Sequence, residues 1–357
     1  MKQLAVGFLG LCHLHPRSYM PLFAAVEGAD VVAVADANAG MLDGFATDFN
    51  VRGYADWREM LANEQLDIAV LFLPHAECPE AAVACAERGI HLIVEKPMAA
   101  SAEGVRQMIA AAEKNNVLLS TAYLWRYHAV SNHMKRLIDE GVIGDVVGCE
   151  GRCAAGRLNR YIEGNASWML KKAMSGGGPM YNLGVHWIDL YRWLLDDEVV
   201  EVMGKNVKIN KEYDIEDNSF AILTFGKGAV VALDISYTVP DAYPAGRDLF
   251  LSLRGTGGVL SWEPSFEGVR ETLFVCSDTG DYAASPRRHV SFELTSVPGY
   301  CGIMGLQFLQ DFTRAVRNND GSALRITGQD GLRALEIVEA IYESAETGKA
   351  VKLAVTA

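Results

Sequence analysis

Two periodicities of apolar and polar residues run along this chain, and one gives way to the other near residue 122. Before that point, short apolar runs at 4–9, 31–35, 68–73, 91–94 and 118–122 alternate with amphipathic stretches of helical period. The stretch 79–88 reads as a helix closed by Gly89 in the left-handed region. Another helix, 102–115, is opened by Ser101 and carries Glu103 and Glu113 on its polar side. Strands alternating with helices predict βαβ units on a doubly wound parallel sheet.

Beyond Tyr123 a helix at 130–140 ends at Gly141 and a second runs over 179–195. After these, period-two alternation marks strands at 199–209, 220–225, 229–238, 249–254 and 259–262. Gly226-Lys227-Gly228 and Thr256-Gly257-Gly258 turn the chain between neighbours. A last helix, 331–347, is expected to pack back near the first domain. The fold class is therefore α/β: a nucleotide-binding domain of Rossmann type over 1–122, then an α+β domain over 123–357 with a large, mostly antiparallel, open-faced sheet. One face of that sheet can pack on helices. The other is expected to be a subunit interface, giving a homodimer or homotetramer.

Composition narrows the partners. A length of 357 residues fits two domains, and half the residues are apolar, enough for two cores. A formal net charge of −13 and the lack of any basic run argue against nucleic acid and favour small molecules. No apolar run approaches the roughly 20 residues that span a bilayer, so no membrane role is expected. The N-terminal run reads as a first strand rather than a signal peptide, because His13, His15 and Arg17 follow too soon. Seven cysteines without CxxC spacing suit reduced thiols and a cytoplasmic location better than a disulfide framework.

Candidate chemistry gathers in three segments. The strand 91–94 ends in Glu95-Lys96-Pro97, which places a lysine at the carboxyl edge of a parallel sheet, where ligands of such sheets bind. The loop after the first strand, Gly10-Leu11-Cys12-His13-Leu14-His15, keeps one glycine of a G-x-G-x-x-G fingerprint. Cys12 stands where a pyrophosphate would approach, and His15 where helix and strand pack closely. Asp36, ending the second strand, suits the hydroxyls of an adenosine ribose and repels a 2′-phosphate, favouring NAD over NADP. Cys12, His13 and His15 are too closely spaced to converge on a metal, and none is expected. The third segment, Ser175-Gly176-Gly177-Gly178-Pro179, opens a helix that spaces Asn182, His186 and Asp189 at i, i+4 and i+7, one polar face. Arg157, Arg160, Tyr161, Trp168 and Lys172, in the irregular stretch before it, offer rings and cations suited to a polyol or acidic sugar.

Glu95-Lys96-Pro97, the βαβ half, and the glycine loop leading to His186 together resemble the Gfo/Idh/MocA oxidoreductases over essentially the whole chain. The run Val94 to Ala99 and the aromatic-arginine run Trp125-Arg126-Tyr127 are also similar. The resemblance implies hydride transfer between a nicotinamide and a hydroxyl or carbonyl carbon of a sugar, inositol or related polyol. It implies a cofactor site drawing on Gly10, Cys12, His13, Leu14, Asp36, Pro74, His75, Glu95, Lys96, Pro97, Trp125 and Arg126. Lys96, Asn182 and His186 would meet substrate, with Arg157, Tyr161 and Trp168 beside them. The family has an aspartate where this chain has Asn182, so Asp189 is expected to supply the charge behind His186. Two other outcomes are compatible with the altered loop: NAD-assisted elimination or glycoside cleavage without net redox, and a cofactor-free binding or regulatory relative.

Overall fold

The computed structural model describes residues 2–240, 242–265 and 268–354. The first half builds a six-stranded parallel sheet from β1 (Leu4–Leu9), β2 (Ala29–Ala35), β3 (Arg52–Tyr54), β4 (Ile68–Leu71), β5 (His91–Val94) and β6 (Leu119–Thr121). Their order is β3-β2-β1-β4-β5-β6. Strands of such a sheet are covered on both faces and read as continuous apolar runs; all four residues of β4 are buried. Helices α1 (Pro16–Ala24), α2 (Ala39–Phe49), α3 (Trp57–Asn63), α4 (Cys78–Ala86) and α5 (Ala102–Lys114) make the crossovers. Phe8 anchors the packing, its ring 5.7, 6.2 and 5.2 Å from Phe23, Phe45 and Phe72. Ser101 caps α5 as expected, accepting from the Gly104 amide. Strand order reverses between β1 and β4, so the loops after these two strands flank the topological switch point.

Packing groups the chain into two units whose boundaries depart from a single cut at 122. Unit one holds Met1–Leu124 together with two later segments, Asn159–Gly176 and Ser296–Arg333. The second of these contains a helix, Ile303–Asn318, that the opening pattern does not announce, although Met304, Phe308, Leu309, Phe312 and Val316 share its buried side. The last helix begins at Gly328, and its first turn belongs to unit one. A Cβ on Gly331 would stand 2.2 Å from the Met98 sulfur.

Unit two carries a nine-stranded sheet of β7 (Val146–Ala155), β8 (Val199–Val207), β9 (Asn218–Phe225), β10 (Val230–Ser236), β11 (Arg247–Gly255), β12 (Gly258–Trp262), β13 (Arg270–Ser277), β14 (Arg287–Glu293) and β15 (Val351–Lys352). Its order is β14-β13-β12-β11-β7-β10-β9-β8-β15, and only the β7–β10 pair is parallel among the described residues. The central strand β7 reads Val-Val-Gly-Cys-Glu-Gly-Arg-Cys-Ala-Ala, too short of large apolar residues to stand out. Tertiary packing explains its composition. A Cβ on Gly151 would lie 2.3 Å from Trp187 Cδ1, so the helix Val185–Leu195 needs a bare backbone beneath it. None of the described helices is long and apolar enough to cross a membrane.

Candidate active site

In unit one the site residues gather at the carboxyl edge of the parallel sheet. Gly10 ends β1 at φ 92°, and a Cβ there would come within 2.9 Å of the Phe72 carbonyl carbon, so this glycine is required. Asp36 is buried and organises the loop. Its Oδ2 accepts from the Leu11 amide at 2.5 Å and its Oδ1 from the Asn38 amide at 2.7 Å, with the Cys12 thiol 3.7 Å from that same Oδ1. Cys12 turns toward Asp36 and Met41. Burial, then the Asp36 charge, pushes the Cys12 thiol up to about 11, so it stays neutral where a thiolate would repel a phosphate.

His15 ends the loop at the N-cap of the first helix. It precedes α1, whose first residue is Pro16, and its Nδ1 donates to Glu95 Oε1 at 2.9 Å. The other Glu95 oxygen accepts from the Lys96 amide at 2.8 Å, and the Tyr19 hydroxyl reaches Oε1 at 3.3 Å. Glu95 and Lys96 are both buried, and the Lys96–Pro97 peptide is cis. The Trp168 indole donates to the Cys12 carbonyl at 2.5 Å and packs against His13 and His75. That puts Trp168 on the nucleotide loop, a place its sequence position does not reveal.

His13 and His75 follow β1 and β4, the strands of the switch point. Burial holds His13 well below the usual imidazole value and His75 down to about 4, so both are neutral near pH 7. His75 Nδ1 donates to the Ser175 carbonyl at 2.9 Å, leaving Nε2 as a lone-pair acceptor. His13 Nδ1 accepts from the His15 amide at 3.3 Å, leaving its Nε2 protonated. Both Nε2 atoms are buried without a hydrogen-bond partner. A glycine cradle, a neutral thiol and two orphaned polar atoms at the switch point fit a dinucleotide held along this edge. The ligand atoms of His13, His15 and Glu95 also lie within 4.8 Å of one another, a grouping that brings in Glu95 and omits Cys12.

Unit two holds the other candidates. Met180–Gly184 is a π-helical turn that runs into the α-helix Val185–Leu195, so Asn182 lies in the π-turn and His186 and Asp189 in the α-helix. Asn182 Nδ2 donates to the Tyr237 hydroxyl at 3.0 Å. Asp189 is engaged by a cation from an earlier segment. Its two oxygens take the Arg126 guanidinium, at 2.9 Å from Nε and 2.5 Å from Nη2, and both groups are buried. Arg126, expected beside the cofactor, thus holds a buried charge in unit two. Trp125 packs edge-on against Trp187 and Trp262 there, at 5.2 and 5.7 Å. From Gly177 to Arg192 every residue is buried except His186, which keeps partial exposure.

The glycine loop is not a flexible hinge. Gly178 N–H donates to the Glu216 carboxylate at 3.1 and 3.2 Å and lies 3.0 Å from the Tyr342 hydroxyl, which itself bonds Glu216. A Cβ on Gly178 would fall 2.1 Å from the Glu216 carbonyl oxygen. Tyr161, expected to meet substrate, has no exposed surface, and the Arg160 guanidinium lies over its ring. Arg157 belongs to unit two, whereas Lys172 is exposed in unit one. The sequence did not point to Tyr19, Tyr300, Glu216, Tyr237 or Tyr342. For Tyr300 a signal was present in its flanking Gly299 and Gly302, both at positive φ.

Known proteins give the same picture. Residues 4–123 match the family model described as the NAD-binding Rossmann fold of the oxidoreductase family, and residues 135–353 match its C-terminal alpha/beta domain. The chain is 23% identical to D-xylose 1-dehydrogenase (NADP(+)) 2 of Haloferax volcanii, over 97% of this chain and 99% of that one. It is 25% identical to myo-inositol 2-dehydrogenase of Thermotoga maritima, over 92% of each. Among solved structures, an Agrobacterium radiobacter oxidoreductase in complex with NAD+, L-tartaric acid and magnesium superposes with TM-score 0.83 at 21% identity, covering 98% of both chains. Myo-inositol 2-dehydrogenase from Lactobacillus plantarum does so with TM-score 0.81 at 22% identity, covering 99% of this chain and all of the other. With both of its domains matched in order along nearly the whole sequence, the chain belongs to the Gfo/Idh/MocA family of NAD(P)-binding oxidoreductases.

Proposed function

We propose that this protein is an NAD-linked dehydrogenase or reductase of a sugar, inositol or related polyol, with Lys96 and His186 as its working groups. The observation that carries the reading is Lys96, buried at the carboxyl end of β5 in the unit matched by the NAD-binding model. A bound nicotinamide supplies the hydride acceptor or donor. What remains for the protein is a cation to stabilise alkoxide character at the reacting carbon and a group to exchange its proton. Lys96 serves the first need and His186 the second, as the partly exposed imidazole on an otherwise buried helix. Asn182, held by Tyr237, offers a neutral hydrogen bond. The names of the relatives, xylose and inositol dehydrogenases among them, support a polyol or sugar as substrate.

Asp36, buried just after β2, supports NAD over NADP, because a carboxylate beside the adenosine ribose would repel a 2′-phosphate. Calorimetry with NADH and NADPH tests this; tighter NADPH binding refutes it. Turnover is tested by following NADH absorbance against a panel of inositols, sugars and sugar acids. Failure to bind either dinucleotide would sink the reading whatever the panel showed.

The outer face of the nine-stranded sheet supports a homo-oligomer. Met203, Phe220, Ile222 and Val230 alternate with buried residues on adjacent strands, yet are 52, 41, 45 and 38% exposed. They line an open groove of about 960 Å³ with Lys205, Arg254, Glu150 and Asp234, charges of both signs that a second copy can pair. Light scattering on Ile222→Glu should show monomer where the parent chain is a dimer or tetramer; a monomeric parent refutes the assignment. The seven cysteines, all free thiols, support a reducing compartment such as the cytoplasm.

A further inference from the structure

His15 stands where the fingerprint has its third glycine, and its contacts lead to Lys96. Its Nδ1 donates to Glu95 Oε1 at 2.9 Å, because an ionised carboxylate can only accept. The remaining Glu95 oxygen takes the Lys96 amide at 2.8 Å, folding the acid back over the strand end that presents the lysine. A carboxylate making a single bond at a strand end can rotate away. Glu95 is pinned from a second side by His15 and Tyr19.

The imidazole is itself fixed. Its ring stacks on Tyr300 at 3.8 Å and 26°, and Tyr300 stacks on Tyr19 at 5.5 Å and 23°. Tyr300 is seated by its amide on the Ser18 carbonyl at 2.9 Å and by Gly299 at φ 119°, where a Cβ would lie 2.7 Å from that same oxygen. Cys301 and Gly302 follow at φ 55° and 56°. Three positive-φ residues flanking one ring indicate that the segment is shaped to hold Tyr300 against His15.

We propose that His15 is a positioning residue for Lys96, acting through Glu95, and that its presence at the third-glycine position is a working feature of the site. This rests on the assignment of Lys96 above. A divalent metal shared by His13, His15 and Glu95 is the competing use of the same atoms. It is disfavoured because both Glu95 oxygens already accept from N–H or O–H donors and His15 Nδ1 is committed to that carboxylate.

The test compares His15→Asn, whose side-chain amide can occupy the Nδ1 donor position, with His15→Ala and with Glu95→Gln. The primary readout needs no substrate. The pH dependence of Lys96 reductive methylation is followed by peptide mass spectrometry in each folded protein. His15→Ala and Glu95→Gln should shift the Lys96 midpoint together, and His15→Asn should restore it. In turnover, His15→Ala should lower kcat about tenfold or more with the KM for NAD little changed, as expected when a reacting group is misplaced. An unchanged Lys96 profile in both His15→Ala and Glu95→Gln overturns the proposal. So does one equivalent of zinc in the purified protein that all three variants lose. If neither dinucleotide binds, the dehydrogenase reading fails, while the Lys96 profile still decides this one.

Discussion

Replacing Asp189 with asparagine separates a structural charge from a catalytic one. The carboxylate is 1% exposed and its Arg126 partner 6%, with two short charge-assisted bonds between them. Asparagine keeps the shape but removes the charge, leaving a buried guanidinium without its counter-ion. Breaking one side of such a pair costs about 3–5 kcal/mol, whereas replacing both partners with apolar residues of similar volume is often close to neutral. Asp189→Asn should therefore lower the urea midpoint substantially, read by the fluorescence of Trp125, next to Arg126 in sequence, and of Trp187 and Trp262, which pack on Trp125. The pair Asp189→Leu with Arg126→Met should recover most of the loss, giving a coupling energy of about 2 kcal/mol or more in the cycle. The pH profile of kcat should keep its shape in Asp189→Asn if the carboxylate serves the Arg126 pair rather than His186. A variant of parental stability whose profile loses its basic limb would refute the structural assignment and restore the relay read from sequence.

Three other outcomes follow from the same geometry. His75 and His128 are both lowered to about 4 by burial, against about 6.5 when unfolded. Between those values the unfolded chain binds the protons that the folded one refuses, so stability is fully present above about pH 6.5. It falls by about 3 kcal/mol per group as pH drops toward 4, and His75→Asn should flatten that slope in urea titrations. Gly178→Ala would drive a Cβ into the Glu216 backbone and should cost about 1–3 kcal/mol; a variant as stable as the parent would show that the glycine loop is not clamped. If Lys96 and His186 serve one substrate, the kcat/KM losses of Lys96→Ala and His186→Ala should be strongly non-additive. Strict additivity, measured in the double variant, would argue for independent roles.

The sequence alone determined the parallel sheet, the strand-rich second half and the location of Lys96. These depend on local rules: period-two and period-3.6 patterning, apolar runs for doubly covered strands, and a proline at a strand end. The family resemblance was legible for the same reason, since its motifs are short and contiguous. Whatever depended on residues far apart in sequence was decided by the tertiary structure. Asp189 looked like a partner for His186 because they share a helix, but Arg126, 63 positions away, supplies a cation in a buried setting where no lone charge is tolerated. The three polar residues read as one α-helix, whereas Asn182 lies in a π-turn ahead of it. Segments 159–176 and 296–333 carry no motif tying them to the first 124 residues, yet they bring Trp168 and Tyr300 to the nucleotide loop. His15 looked like damage to a fingerprint, because glycine there serves close helix–strand packing. Only the placement of Glu95 and Tyr300 around it gives its imidazole a use, and no one-dimensional pattern encodes that convergence.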